Sequence, residues 1–123
     1  MSPRATSATT HELSRIGLLA TLSGETLGKL ATRMQREDVA PGHRVVIEGE
    51  TNERFYVILA GLFSVTQSSL GARRVLRPGD YFGEVAPAMG VPRTATVLAL
   101  TPGTVASCDR ETFDEYVRPL FSA

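Results

Sequence analysis

The sequence predicts a mainly β fold with flanking helices: an antiparallel β-roll of the jelly-roll type, set between N-terminal helices and a short C-terminal helix. Two patterns carry this. Over residues 37–108, short β-branched or aromatic runs alternate with turn signals at roughly eight- to twelve-residue spacing, as in a sandwich or small barrel. On both sides of that region apolar residues recur at three-to-four spacing, the period of an amphipathic helix.

The elements follow in order. Leu13, Ile16 and Leu19 or Ala20 open the first helical stretch. Ser23 then stands where an N-cap is needed, with Thr26 at N3, because a side-chain oxygen there accepts from an otherwise unpaired backbone N–H. Leu27, Leu30, Ala31 and Met34 form the apolar face of the helix it starts. Pro41-Gly42 is a turn, and residues 44–48 are a β-branched run ended by Gly49. Residues 55–59 are strongly strand-forming, and Ala60-Gly61 turns the chain into a hairpin partner over residues 62–66. Residues 67–72 read as a polar loop, and Val75-Leu76 leads into the turn Pro78-Gly79-Asp80. Residues 94–100 and 104–108 are the last strands, joined by Pro102-Gly103. Asp109 caps a closing helix with Phe113, Tyr116 and Val117 on its apolar face, and Pro119 discourages its continuation.

Composition narrows the function. The 13 basic and 13 acidic residues give zero formal net charge, which argues against bulk attraction to nucleic acid or to an anionic membrane. Any anion site must therefore be local. The length of 123 residues suits one domain with one core. No apolar run approaches the ~20 residues that span a bilayer. Cys108 is the single cysteine, so no intrachain disulfide forms, which fits a reducing compartment without requiring one; it reads as a buried small hydrophobe. Residues 1–12 are rich in Ser, Thr and Ala, lack the apolar stretch of a secretory signal, and read as a flexible tail. Residues 13–123 are then the domain, expected in the cytoplasm. His11 and His43 are too isolated to make a metal centre, and no cofactor is expected.

One stretch breaks the β pattern and collects chemistry. Gly83 lets a ligand approach the backbone closely. Residues 84–89 read as one short helical turn, whose first N–H groups favour an anion, with Pro87 tolerated only near its start. Arg93 brings a cationic fork suited to two phosphate oxygens, and Thr94 a hydroxyl donor. Glu84, an acceptor-only group when ionised, suits a pair of sugar hydroxyls. One cation with amides, beside a carboxylate for hydroxyls, matches a cyclic phosphodiester of ribose. The structural alternative is a salt bridge between Glu84 and Arg93.

The run Arg77-Pro78-Gly79-Asp80-Tyr81-Phe82-Gly83-Glu84, with Arg93 nine residues after the glutamate in Pro92-Arg93-Thr94-Ala95-Thr96-Val97, resembles the phosphate-binding cassette of cyclic-nucleotide-binding domains. Val39-Ala40-Pro41-Gly42, Glu48-Gly49 and Phe55-Tyr56-Val57-Ile58-Leu59-Ala60-Gly61 extend the likeness, which covers residues 13–120. The resemblance implies a regulatory β-roll that binds cAMP or cGMP, with cAMP favoured, and has no enzymatic activity of its own. It implies that Glu84 accepts from the ribose 2′-hydroxyl, that Gly83 offers an amide near ribose and phosphate, and that Arg93 pairs with the cyclic phosphate. Thr94 and Ala95 would add contacts to the phosphate, Val85 and Ala86 would line the pocket with backbone, and Val65 and Arg74 would lie by the base. Arg73-Arg74 alone would otherwise read as a solvated strand edge.

The chain departs from the family at Pro87, usually aliphatic, and at Asn52-Glu53-Arg54, where a small residue usually precedes the acidic one. The lid that covers the base in the family is expected to be missing, shortened or supplied by a partner chain. No helix-turn-helix, kinase motif set or channel segment accompanies the roll, so the output is expected from a regulated partner or a fused effector. Two other readings remain: a ligand-free structural or dimerisation roll, and a cupin-like metal enzyme.

Overall fold

The structure is a computed structural model and describes residues 7–84 and 91–121. Among these residues the strands are β1 (Gln35–Val39), β2 (Arg44–Val46), β3 (Phe55–Ala60), β4 (Phe63–Gln67), β5 (Gly71–Leu76), β6 (Tyr81–Phe82), β7 (Thr96–Ala99) and β8 (Gly103–Cys108). They build two antiparallel four-stranded sheets, ordered β1-β8-β3-β6 and β2-β7-β4-β5. The helical segments are α1 (Thr10–Ser14), a 3-10 turn (Gly17–Leu19), α2 (Gly24–Thr32), α3 (Arg110–Thr112), a π turn (Phe113–Val117) and α4 (Arg118–Phe121). The result is the predicted mainly β antiparallel fold with flanking helices.

The apolar run of β3 explains the layering. A strand covered on one face alternates apolar and polar residues; one covered on both faces does not. Phe55 and Val57 join a core with Leu13, Ile16, Leu19, Leu30, Met34, Phe113 and Val117, against the helices. Tyr56 and Ile58 join a second core with Val46, Phe63, Leu76, Phe82, Val97 and Val105, drawn from the strands. β8 divides the same way: Ala106 and Cys108 face the helical core and Val105 the other. Burial pushes the Cys108 thiol up to about 12, which keeps it protonated and inert as a small hydrophobe.

The folded part starts before Leu13. Residues 7–12, placed in a flexible tail by the sequence reading, belong to the fold. Ser7 bridges Gln35, and the Ala8 N–H donates to the Met34 carbonyl at 3.0 Å. Thr9 and Glu12 form a capping box, each side chain accepting from the other's backbone N–H. This Thr-x-x-Glu signal lies within a Ser/Thr-rich stretch, where composition hides it. Residues 67–72 also differ from expectation. β4 runs through Gln67 and β5 restarts at Gly71, so the loop is a short turn. Glu48 fixes it by accepting from the Ser68 N–H at 2.9 Å and the Ser68 hydroxyl at 2.8 Å.

The closing helix continues past Pro119. Its ring and missing N–H would disrupt an ordinary helical turn. Here the preceding turn is widened, with the Arg118 N–H donating to the Phe113 carbonyl five residues back, and α4 then runs to Phe121. Asp109 caps the start as expected, accepting from the Thr112 N–H at 2.9 Å. That hydrogen bond holds its carboxyl below the usual range. A depressed carboxyl stabilises the fold above its unfolded pKa, and the contribution is lost as pH falls through the folded value. Asp109→Ala is therefore expected to cost about 1 kcal/mol at neutral pH, with a smaller difference in acid; urea unfolding at both pH values checks this.

Candidate functional site

The sequence-predicted residues converge on one hollow of about 180 Å³. It is lined by Val46, Val65, Arg74, Phe82, Gly83, Glu84, Pro92, Arg93, Thr94, Ala95 and Val97. Gly83, Glu84, Arg93, Thr94, Ala95, Val65 and Arg74 are thus brought together. Val85, Ala86 and the short helix expected over residues 84–89 lie outside the described residues beyond Glu84. Phe82, Pro92 and Val97 stand in the cassette runs without a predicted contact, and Val46 was not singled out. Strand register places three of the lining residues side by side, with Val97 paired to Val46 on one side and to Val65 on the other. Val65 in turn pairs with Arg74. The row Val46, Val97, Val65, Arg74 crosses the whole sheet, apolar until it reaches the edge strand β5.

Arg93 forms the opposite wall. Its backbone is pinned by the turn before β3: the Arg93 N–H donates to the Glu50 carbonyl at 3.0 Å, and its carbonyl accepts from Gly49 at 2.9 Å. Its side chain is buried, at 7% exposure. Nη2 donates to the Arg54 carbonyl and, at 3.2 Å, to Asn52 Oδ1. The guanidinium lies 5.8 Å from the Tyr56 ring centroid. Tyr56 is itself stacked on Phe82, with ring centroids 4.8 Å apart. Burial pulls the Arg93 pKa down, while Tyr56 and Glu84 act to raise it; a guanidinium stays charged regardless. Among the described residues, Arg93 Nε is the only buried side-chain nitrogen or oxygen with no hydrogen-bond partner.

Gly83 makes that packing possible. Its φ is +89°, and a Cβ built on it would lie 2.6 Å from Arg93 Nη1 and 3.0 Å from the Arg54 carbonyl oxygen. Only glycine lets the backbone leave β6 across the guanidinium without displacing it. Glu84 follows, half-buried and on the same hollow. The alternative of a structural salt bridge does not hold: no ion pair joins Glu84 to Arg93 among the described residues. Arg93 Nη2 donates to neutral acceptors instead. Thr94 sits on the exposed rim, where its carbonyl accepts from the Gln67 amide at 3.0 Å, tying the β4–β5 hairpin to the site.

Among the described residues, no group of three His, Cys, Asp or Glu could hold a metal ion. No helix among them is long and apolar enough to cross a membrane.

Residues 36–119 match the profile of the cyclic nucleotide-binding domain. The chain belongs to that family. As a cyclic nucleotide-binding domain it is 37% identical, over 108 residues, to the cAMP-dependent protein kinase regulatory subunit of Eremothecium gossypii, covering 88% of this chain and 24% of that protein. It is 34% identical, over 114 residues, to a cGMP-dependent protein kinase of Caenorhabditis briggsae, covering 88% and 15%. The regulatory domain of Toxoplasma gondii PKA, co-crystallised with cAMP, superposes with a TM-score of 0.84 at 27% identity, covering 92% of this domain and 45% of that chain. The domain therefore spans under a quarter of the length of these two sequence relatives.

Proposed function

We propose that this domain binds a cyclic nucleotide, cAMP in preference to cGMP, as a cytoplasmic regulatory module without catalytic activity of its own. The observation that carries it is a buried guanidinium whose Nε has no hydrogen-bond partner among the described residues, on the same hollow as the Glu84 carboxylate. Leaving a buried N–H without an acceptor is costly. The arrangement is reasonable where a monoanion completes it. The cyclic phosphate would take Arg93 Nε, with Thr94 and Ala95 beside it and, by the resemblance, Val85 and Ala86. Glu84 would accept from the ribose 2′-hydroxyl and Gly83 would lend its amide. The hollow is smaller than the roughly 300 Å³ at which ligand pockets begin, so it would enclose sugar and phosphate and leave the base along the valine row towards Arg74.

The preference for cAMP is supported by regulatory-subunit relatives named for cAMP. One observation favours the alternative. Arg74 is donor-only, and a donor-only fork fits the paired acceptors O6 and N7 of guanine better than the donor and acceptor of adenine. Tighter binding of cGMP than of cAMP would select that reading.

Output would pass to the closing helix, and from there to a regulated partner such as a kinase. Glu53, between the two groups that hold Arg93, lies 3.6 Å from Arg110 of α3. Tyr81, beside Phe82, meets Phe121 of α4 at 5.7 Å. A ligand that shifts Arg93 or β6 would bias the packing of that helix, by as much as it prefers one state over the other.

Calorimetric titration tests the proposal. Both cyclic nucleotides should bind saturably, and Glu84→Gln should weaken binding about tenfold or more through loss of a charge-assisted hydrogen bond. Absence of heat with either nucleotide would contradict it.

A further inference from the structure

Arg93 has among the largest side-chain rotamer freedoms of any residue type, and a ligand that had to order it would bind more weakly for doing so. Asn52 removes that freedom. Its Oδ1 accepts from Arg93 Nη2 at 3.2 Å and from the Arg54 N–H at 2.8 Å. Its Nδ2 donates to the Tyr56 hydroxyl at 3.2 Å. The amide orientation is determined by these partners, since the reverse would set an NH₂ group against two donors. One side chain thus joins the guanidinium, the aromatic ring beneath it and the backbone leading into β3. Both acceptors on Nη2, the Asn52 amide and the Arg54 carbonyl, are neutral, so they orient the fork without cancelling its charge.

We propose that Asn52 is a positioning residue, which holds Arg93 in its binding geometry before the nucleotide arrives and keeps its charge free for the phosphate. This rests on the function proposed above for the hollow. Asn52 does not line the hollow, so it acts on the ligand through Arg93.

The experiment is a calorimetric titration of cAMP into the wild-type domain, Asn52→Ala and Asn52→Asp, with thermal unfolding of each to verify the fold. Asn52→Ala should weaken binding about three- to tenfold, the worth of a neutral hydrogen bond. Asn52→Asp should weaken it further despite its matching shape, because a carboxylate beside Nη2 competes with the phosphate for the same cation. A merely structural asparagine predicts the opposite order. In the ligand-free protein, NMR of the Arg93 guanidinium should show slow Nη exchange that quickens in Asn52→Ala. Equal affinities in all three proteins, or unchanged guanidinium signals, overturn this inference alone. Binding by none of them, the wild type included, overturns the proposed function together with it.

Discussion

Arg93→Ala is expected to weaken cyclic-nucleotide binding by roughly ten- to a hundredfold for each charged hydrogen bond lost, the largest effect of any single change on affinity. Among the described residues, Arg93 is the one cation lining the hollow from its buried side, and Arg74 stands exposed on the sheet's edge. The substitution also strips the Arg54 carbonyl and Asn52 Oδ1 of a donor, so unfolding without ligand should show a separate loss of about 1–3 kcal/mol. Arg93→Lys separates charge from shape. It keeps a cation but not the fork that reaches the Arg54 carbonyl while leaving Nε free, so most of the affinity should still be lost. Calorimetry on the three proteins decides. Near-native affinity in Arg93→Ala would mean that the phosphate is held elsewhere.

Phe55→Ala is expected to have the largest effect on stability, about 3–5 kcal/mol, measured as a fall in the urea midpoint. Phe55 is fully buried on β3. Its ring meets Phe113 of the π turn at 5.3 Å and Tyr81 of β6 at 5.8 Å. Its removal leaves a cavity where sheet, closing helix and site strand converge. Domains of this size are stable by only about 5–15 kcal/mol, so the loss is a large share of the total. A change below about 1 kcal/mol would show that the helices pack on the sheet by other contacts. Tyr81 and Phe82 are neighbours facing different cores, so the same substitution should also loosen β6, which carries Gly83 into the site.

Much of this was legible in the sequence because each signal was local. Ser23 and Asp109 declared their helices by being side chains able to cap a backbone N–H, and both do so. The strongly strand-forming run over residues 55–59 marked β3, while its cover on both faces depends on partners distant in sequence. The cassette's Gly83, Glu84 and Arg93 were readable because their residue types suit a sugar phosphate. Features set by distant partners were not legible. Val46 and Val97 line the hollow only because strand register puts them beside Val65, and no local pattern encodes register across a sheet. β6 is two residues long and exists through its pairing with Tyr56 and Val57. The role of Asn52 depends on an arginine 41 residues away. Pro119 was read from its intrinsic preference, which the widened turn before it overrides.

Arg93 and Glu84 together are expected to recognise a phosphate closed onto its own ribose. Thermal unfolding with saturating cAMP, set against the same concentration of AMP, tests it most directly, because a ligand that binds only the folded state must stabilise it. At a hundredfold excess over the dissociation constant, cAMP should raise the midpoint by on the order of 10 °C. AMP carries a second phosphate charge and a free 3′-hydroxyl, and should leave the midpoint unmoved. A midpoint unchanged by cAMP, or raised equally by AMP, would mean that these two side chains do not read the cyclic phosphate.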